Sequence, residues 1–203
     1  MDIIVITLPY FFPGETAVVN GLFREGLKRL HLRKPGAAIE EMAEWIEEID
    51  IQYRERIAVH DHFDLVRDYS LGGIHLNGRN PELPAWTSQE KRSRKVLVSR
   101  SCHSLNEVIA FSGQCDYVFL SPVFDSISKE GYGSAFSMEE LMNFSRSEIL
   151  AEKVFALGGV SLDNLDVVSS LRFRGAAVLG DLWLQEPRTE EKISGRFLEY
   201  LNH

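Results

Sequence analysis

Eight times along the chain a short β-branched or apolar run returns, each followed by a helical pattern or a long turn. The runs are Ile3 to Thr7, Arg29 to Leu32, Ile57 to His60, Gly73 to Leu76, Val96 to Ser99, Tyr117 to Leu120, Val154 to Leu157 and Ala176 to Leu179. The second is the weakest, because two of its residues are polar. Runs so continuously apolar suit parallel strands, which are covered on both faces and need a crossover between them. Eight beats in 203 residues predict a single (β/α)8 TIM barrel over residues 1–203, at the short end of a fold whose usual size begins near roughly 200 residues. The competing architecture is an open doubly wound sheet, but eight beats close a ring and no GxGxxG follows the first run. No linker or domain boundary interrupts the pattern.

Helix signals fall between the runs. Ile39, Met42, Ala43, Ile46 and Ile49 repeat at three and four, with glutamates on the opposite side. Ser104 with Glu107, and Ser137 with Glu140, have capping-box spacing, and Ser161 opens a pattern through Leu162, Leu165 and Val168. The stretch from Asn77 to Lys95, broken by Pro81 and Pro84, predicts at most a short helix over Ser88 to Arg94.

Charge narrows the function classes. Lys and Arg number 22 against 30 Asp and Glu, a net charge of −8, which argues against nonspecific nucleic-acid binding. The basic run Lys91 to Lys95 reads as a solvated face. No stretch approaches the ~20 apolar residues of a membrane span. Cys102 and Cys115 have neither disulfide-framework nor zinc spacing and are expected as reduced thiols. With no signal-peptide features at the start, the expectation is a cytoplasmic protein that binds small molecules, with a homo-oligomer left open.

In barrels of this kind chemistry belongs at the carboxyl ends of the strands. There the sequence sets Thr7, Arg33 and Lys34, His60-Asp61-His62, His75 and Asn77, Ser99 to His103, Ser121-Pro122, Gly158-Gly159 and Gly180-Asp181. Glycine turns after the seventh and eighth strands expose backbone N–H groups to an anion, and this fold often holds a phosphate there. The long turn from Ser121 to Gly133, with hydroxyls and Lys129, could cover a ligand. Asp61 lacks the partners of a zinc site; one carboxylate with phosphate oxygens and water suits magnesium better. The aromatic turn Pro9 to Pro13 could stack on a ring ligand or pack in the core, and His31 and His103 fit structural roles.

The ordered set His31-Leu32-Arg33-Lys34, Val59-His60-Asp61, Gly73-Ile74-His75-Leu76, Ser101-Cys102-His103-Ser104, Ser121-Pro122-Val123-Phe124 with Lys129, Leu157-Gly158-Gly159-Val160 and Gly175-Ala176-Ala177-Val178 resembles the thiamine phosphate synthase family. Its superfamily also holds a TenI-like thiazole tautomerase branch. The resemblance runs from about residue 3 to residue 184. It implies a transferase of thiamine biosynthesis that joins hydroxymethylpyrimidine diphosphate to thiazole phosphate with release of diphosphate and Mg2+ as cofactor. Carried over by position, Arg33, Lys129 and Ser101 would serve catalysis at the diphosphate, and Asp61 with Asn80 would hold magnesium. His31, Lys34, His60, His75, Ser126, Ser128, Gly158, Gly159 and Gly180 would bind substrate. Departures are visible as well: Asn80 stands where a second carboxylate is expected, and Asp181 would set a negative charge beside the phosphate. Pro122 replaces the histidine expected of the tautomerase branch, which is the alternative activity, with a non-catalytic phosphate-binding barrel beyond it.

Overall fold

The computed structural model describes residues 1–87, 96–125, 134–184 and 186–203. Eight parallel strands, β1 (Asp2–Ile6), β2 (Leu30–Leu32), β3 (Ile57–Val59), β4 (Gly73–Leu76), β5 (Leu97–Cys102), β6 (Tyr117–Leu120), β7 (Val154–Ala156) and β8 (Gly175–Val178), form a closed barrel in sequence order. β8 pairs back onto β1 with Asp2 opposite Gly175 and Val5 opposite Val178. Every expected run is a strand, and only β5 extends appreciably further than its pattern. The crossovers carry α1 (Glu15–Arg24), α2 (Ile39–Glu47), α3 (Leu65–Asp68), α4 (Leu105–Phe111), α5 (Met138–Ser145), α6 (Glu148–Ala151), α7 (Leu165–Ser170), α8 (Gly180–Trp183) and α9 (Glu190–Asn202). The helix and basic run expected within 88–95 lie outside the described residues.

Strand alternation divides the interior in two. Ile3, Val5, Leu30, Leu32, Ile57, Val59, Val118 and Val178 point outward and share one core with the helices. Ile4, Ile6, Tyr117, Phe119, Phe155 and Ala177 point inward as a second apolar cluster. On the β2 to β5 side several inward positions are polar: His31, His75 and Ser99 are fully buried, and His60 nearly so. This explains the weak reading of β2, whose two leucines face helices while its histidine faces the barrel axis.

Capping follows the sequence where it was legible. Ser104 accepts the Glu107 N–H at 3.2 Å, and Ser137 and Glu140 cap reciprocally, at 3.2 Å and 2.8 Å. The Ser161 signal opens on a 3₁₀ turn, Leu162–Asn164, that leads into α7. Helices α1 and α9 lack a counterpart in the sequence reading; they pack on one another, and Arg24 donates to Glu190 at 2.7 Å. Of the aromatic turn only the two phenylalanines pack against the core, while Tyr10 is exposed: the Phe12 ring meets Trp183 edge-on at 5.9 Å, and the Trp183 indole N–H donates to the Ile6 carbonyl at 2.7 Å.

Candidate active site at the strand carboxyl ends

A cavity of about 520 Å³ opens at the carboxyl ends of the strands. Arg33, His60, Asn77, Arg79, Ser101, His103 and Ser121 line it together with Ile6, Phe119, Leu157, Val160, Ala177 and Leu179, and with Gly158, Gly159 and Gly180. A ligand here would meet both cationic and apolar side chains, in a volume suited to a small molecule.

Arg33 owes its place to Thr7. The Thr7 hydroxyl accepts the Arg33 N–H at 2.9 Å and donates to the Arg33 carbonyl at 3.3 Å, tying the end of β1 to the end of β2. Among the described residues the Arg33 guanidinium makes no hydrogen bond, so its donors are available to a ligand. Burial pushes its pKa down, with the neighbouring Arg79 charge adding to the effect and Asp61 opposing it.

Lys34 corrects an expectation. Strand alternation turns it away from the cavity toward α1, where its ammonium donates to both Glu15 oxygens at 2.6 and 2.7 Å and to the Tyr10 carbonyl at 2.7 Å. The Trp45 indole N–H donates to the same carboxylate at 3.0 Å. The side chains of Lys34 and Glu15 are each 1% exposed, so this lysine is a structural partner and cannot reach substrate.

The three histidines form a floor. His31 Nδ1 lies 2.9 Å from His60 Nε2, and His31 Nε2 lies 2.7 Å from the Tyr117 hydroxyl. His75 is held between Ser99 at 2.9 Å and Ser101 at 2.8 Å, and its ring stacks on His60 with centroids 4.1 Å apart. His60 reaches the cavity; His31 and His75 do not line it, so their expected substrate contact is corrected to positioning His60 and Ser101. Burial holds all three neutral: it pulls His75 down to about 3, and His31 and His60 well below the ordinary histidine value.

The glycine turns are built for close approach. Gly158 and Gly159 have φ of +88° and +66°, and a Cβ on Gly159 would stand 2.2 Å from the Asp125 carbonyl oxygen. Asp181, expected to repel a phosphate beside Gly180, is drawn away: Arg196 grips it at 2.9 and 3.1 Å and the Tyr200 hydroxyl donates to it.

Magnesium does not fit the side chains at the expected pair. Asp61 Oδ1 accepts the Asn80 amide at 2.8 Å, and both carboxylate oxygens accept the Arg79 guanidinium, Oδ2 at 3.1 Å. Asn80 spends the same NH2 group on the His60 carbonyl at 3.0 Å, so it presents a donor, not a ligand oxygen, to Asp61. A hard dication needs several converging oxygens; here one carboxylate is already neutralised by a guanidinium.

Asn77, Arg79, His103 and Ser121 line the cavity without having been assigned roles at it, although their position just beyond strand ends was the available signal. Ser126, Ser128 and Lys129 lie outside the described residues.

The fold and cavity define a (β/α)8 barrel whose cavity opens at the end at which such barrels carry out chemistry. The match to known proteins is narrower than that class: the TMP-TENI family, thiamine monophosphate synthase, matches residues 6–182. The chain belongs to the thiamine monophosphate synthase family. It is 24% identical to a putative thiamine-phosphate synthase of Geobacter sulfurreducens, over 87% of this chain and 82% of that one. It is 30% identical to a thiamine-phosphate synthase of Parasynechococcus marenigrum, over 91% of this chain and 52% of the relative. A crystal structure of thiamine phosphate pyrophosphorylase from Bacteroides thetaiotaomicron superposes with a TM-score of 0.86 at 36% identity, covering 100% of this chain and 96% of that one.

Proposed function

We propose that this protein is a thiamine phosphate synthase, coupling hydroxymethylpyrimidine diphosphate to thiazole phosphate with release of diphosphate. The observation that carries the reading is the meeting, in one cavity, of the Arg33 guanidinium (without a hydrogen bond among the described residues), Ser101, the glycine turns after β7 and β8, and apolar side chains. The diphosphate lies against Arg33 and Ser101. The thiazole phosphate takes the N–H groups around Gly158, Gly159 and Gly180. The methylene C–O bond breaks and its electron pair leaves on the diphosphate; the pyrimidine-stabilised cation is then captured by the thiazole nitrogen lone pair. The chain's part is to stabilise charge on the leaving group, align the rings and exclude water with Phe119, Leu157 and Ala177. The setting in this reading is the cytoplasm, where Cys102 and Cys115, both buried, would stay thiols.

His103 favours one further reading, thiazole tautomerisation. Its Nδ1 lies 3.0 Å from the Ser121 carbonyl, which can only accept, so a neutral His103 keeps Nε2 as its basic nitrogen in the cavity wall. Incubating the purified chain with both synthase substrates, and separately with the unisomerised thiazole phosphate, distinguishes the two. Thiamine phosphate well above a no-enzyme control is the expected result, with Arg33→Ala lowering kcat/KM by about 100-fold. Isomerised thiazole without coupled product would overturn the synthase reading.

A further inference from the structure

We propose that Arg79 occupies the role of a divalent cation at the diphosphate end of the cavity, making this an arginine-based site that takes organic diphosphates without metal. The inference rests on the synthase reading for its substrate, but the site's ligand class, a polyphosphate anion, follows from the side chains themselves.

Formal charge is the first argument. A second carboxylate with a dication would bring −1 and +2 to the leaving group. Asn80 with Arg79 brings 0 and +1. Both sums are +1, so the exchange of Asp for Asn is matched by a neighbouring residue that restores the charge a metal would have supplied. The positions are adjacent, and both side chains converge on Asp61.

Geometry is the second. The Asn77 side-chain oxygen accepts the N–H groups of Arg79 and Asn80 at 2.9 and 3.2 Å. Backbone bonds of 3.1 Å run both ways between Asn77 and Asn80. The Asn77 amide then donates to the His60 carbonyl at 2.9 Å, anchoring the whole turn to β3. An ordinary exposed ion pair has no such support and contributes little. Here a rigid turn delivers a half-exposed guanidinium to the cavity wall, against an Asp61 side chain only 16% exposed.

The third is the company Arg79 keeps. Arg33 lines the same cavity and feels the Arg79 charge, with the single carboxylate of Asp61 near both guanidinium groups. Two planar forks can bridge oxygens on successive phosphoryl groups, bidentate recognition that an ammonium could not provide. As the C–O bond breaks and its electron pair remains on the diphosphate, Arg79 transfers its hydrogen bonds from Asp61 to the developing negative oxygens. The new bond forms from the thiazole nitrogen to the methylene carbon, with no proton required from the site.

Calorimetric titration of the full chain with inorganic diphosphate, in EDTA and in millimolar magnesium, tests this. Binding in EDTA at least as tight as in magnesium is expected. Arg79→Ala should weaken it tenfold or more, with Arg79→Gln as a second variant and melting curves confirming that both fold. In the double variant Arg79→Ala/Asn80→Asp, magnesium should recover much of the loss. Wild-type binding that requires magnesium, binding unaffected by Arg79→Ala, or no binding in either buffer overturns the proposal. A parallel coupling assay separates it from the functional reading. Coupling only with magnesium leaves the synthase standing and sinks the role of Arg79; metal-free diphosphate binding through Arg79 without coupling does the reverse.

Discussion

Arg33 and Lys34 are adjacent cations with opposite fates, and the difference is one step of strand alternation. Arg33 faces the cavity; Lys34 is sealed against Glu15, Tyr10 and Trp45. Burial pushes Glu15 up and Lys34 down, each toward its neutral form, and the ion pair opposes both. Glu15→Gln removes that opposition and strands a buried ammonium, so it should destabilise the protein by about 3–5 kcal/mol. Glu15→Leu/Lys34→Met removes both charges and should recover most of that loss in urea unfolding; equal losses in both variants would show that the charge is not the cause. The sequence placed both residues at the rim, since their strand-end position was legible. The partner that buries Lys34 sits 19 positions earlier in a helix the pattern did not reveal.

Among the elements, the strands were readable because an apolar run bounded by turns is a local signal, and the capped helices because Ser104 and Ser137 announce them. Helix α1 gives no such notice: it starts after Gly14 in a left-handed conformation, with no side-chain cap, and Thr16, Asn20 and Gly21 dilute its apolar face. The turn after β7 was legible as two glycines, but its packing partner, the segment after β6, was not. Gly159→Ala tests that contact. The left-handed backbone alone costs about 1–2 kcal/mol for a residue with a Cβ, a fall of about 2–8 °C for a chain of this size. The approach of Asp125 adds to it. Gly14→Ala is the control, because Gly14 has φ +81° with nothing within 4 Å of the added carbon. Gly159→Ala should melt lower than Gly14→Ala and bind inorganic phosphate more weakly; indistinguishable melting curves would mean that the turn gives way freely.

At the scale of the whole molecule, the barrel axis is divided between an apolar half and a half built of histidine and serine, and this division ties stability to pH. The sequence showed His31, His60 and His75 as strand residues but could not show that closure of the ring brings all three together out of water. Their hydrogen bonds, to one another and to Tyr117, Ser99 and Ser101, satisfy neutral imidazoles. A buried neutral histidine binds its proton more weakly than it does in the unfolded chain, where the value is 6.5. Below that value the unfolded state therefore takes up protons that the folded state refuses, and acidification favours unfolding. His75 goes on contributing until pH falls to about 3. His75 alone adds a slope approaching about 1.4 kcal/mol per pH unit between pH 6 and 5, above the range in which most carboxylates titrate, and His31 and His60, shifted in the same direction, add to it. Urea midpoints should drop steeply across that interval, and His75→Gln, whose amide can still bridge Ser99 and Ser101 without titrating, should take about 1 kcal/mol per pH unit out of the slope. A wild-type slope near zero, or a His75→Gln slope equal to the wild type's, would mean that the histidine floor admits protons when folded and is not the dry, neutral base of the cavity that the geometry describes.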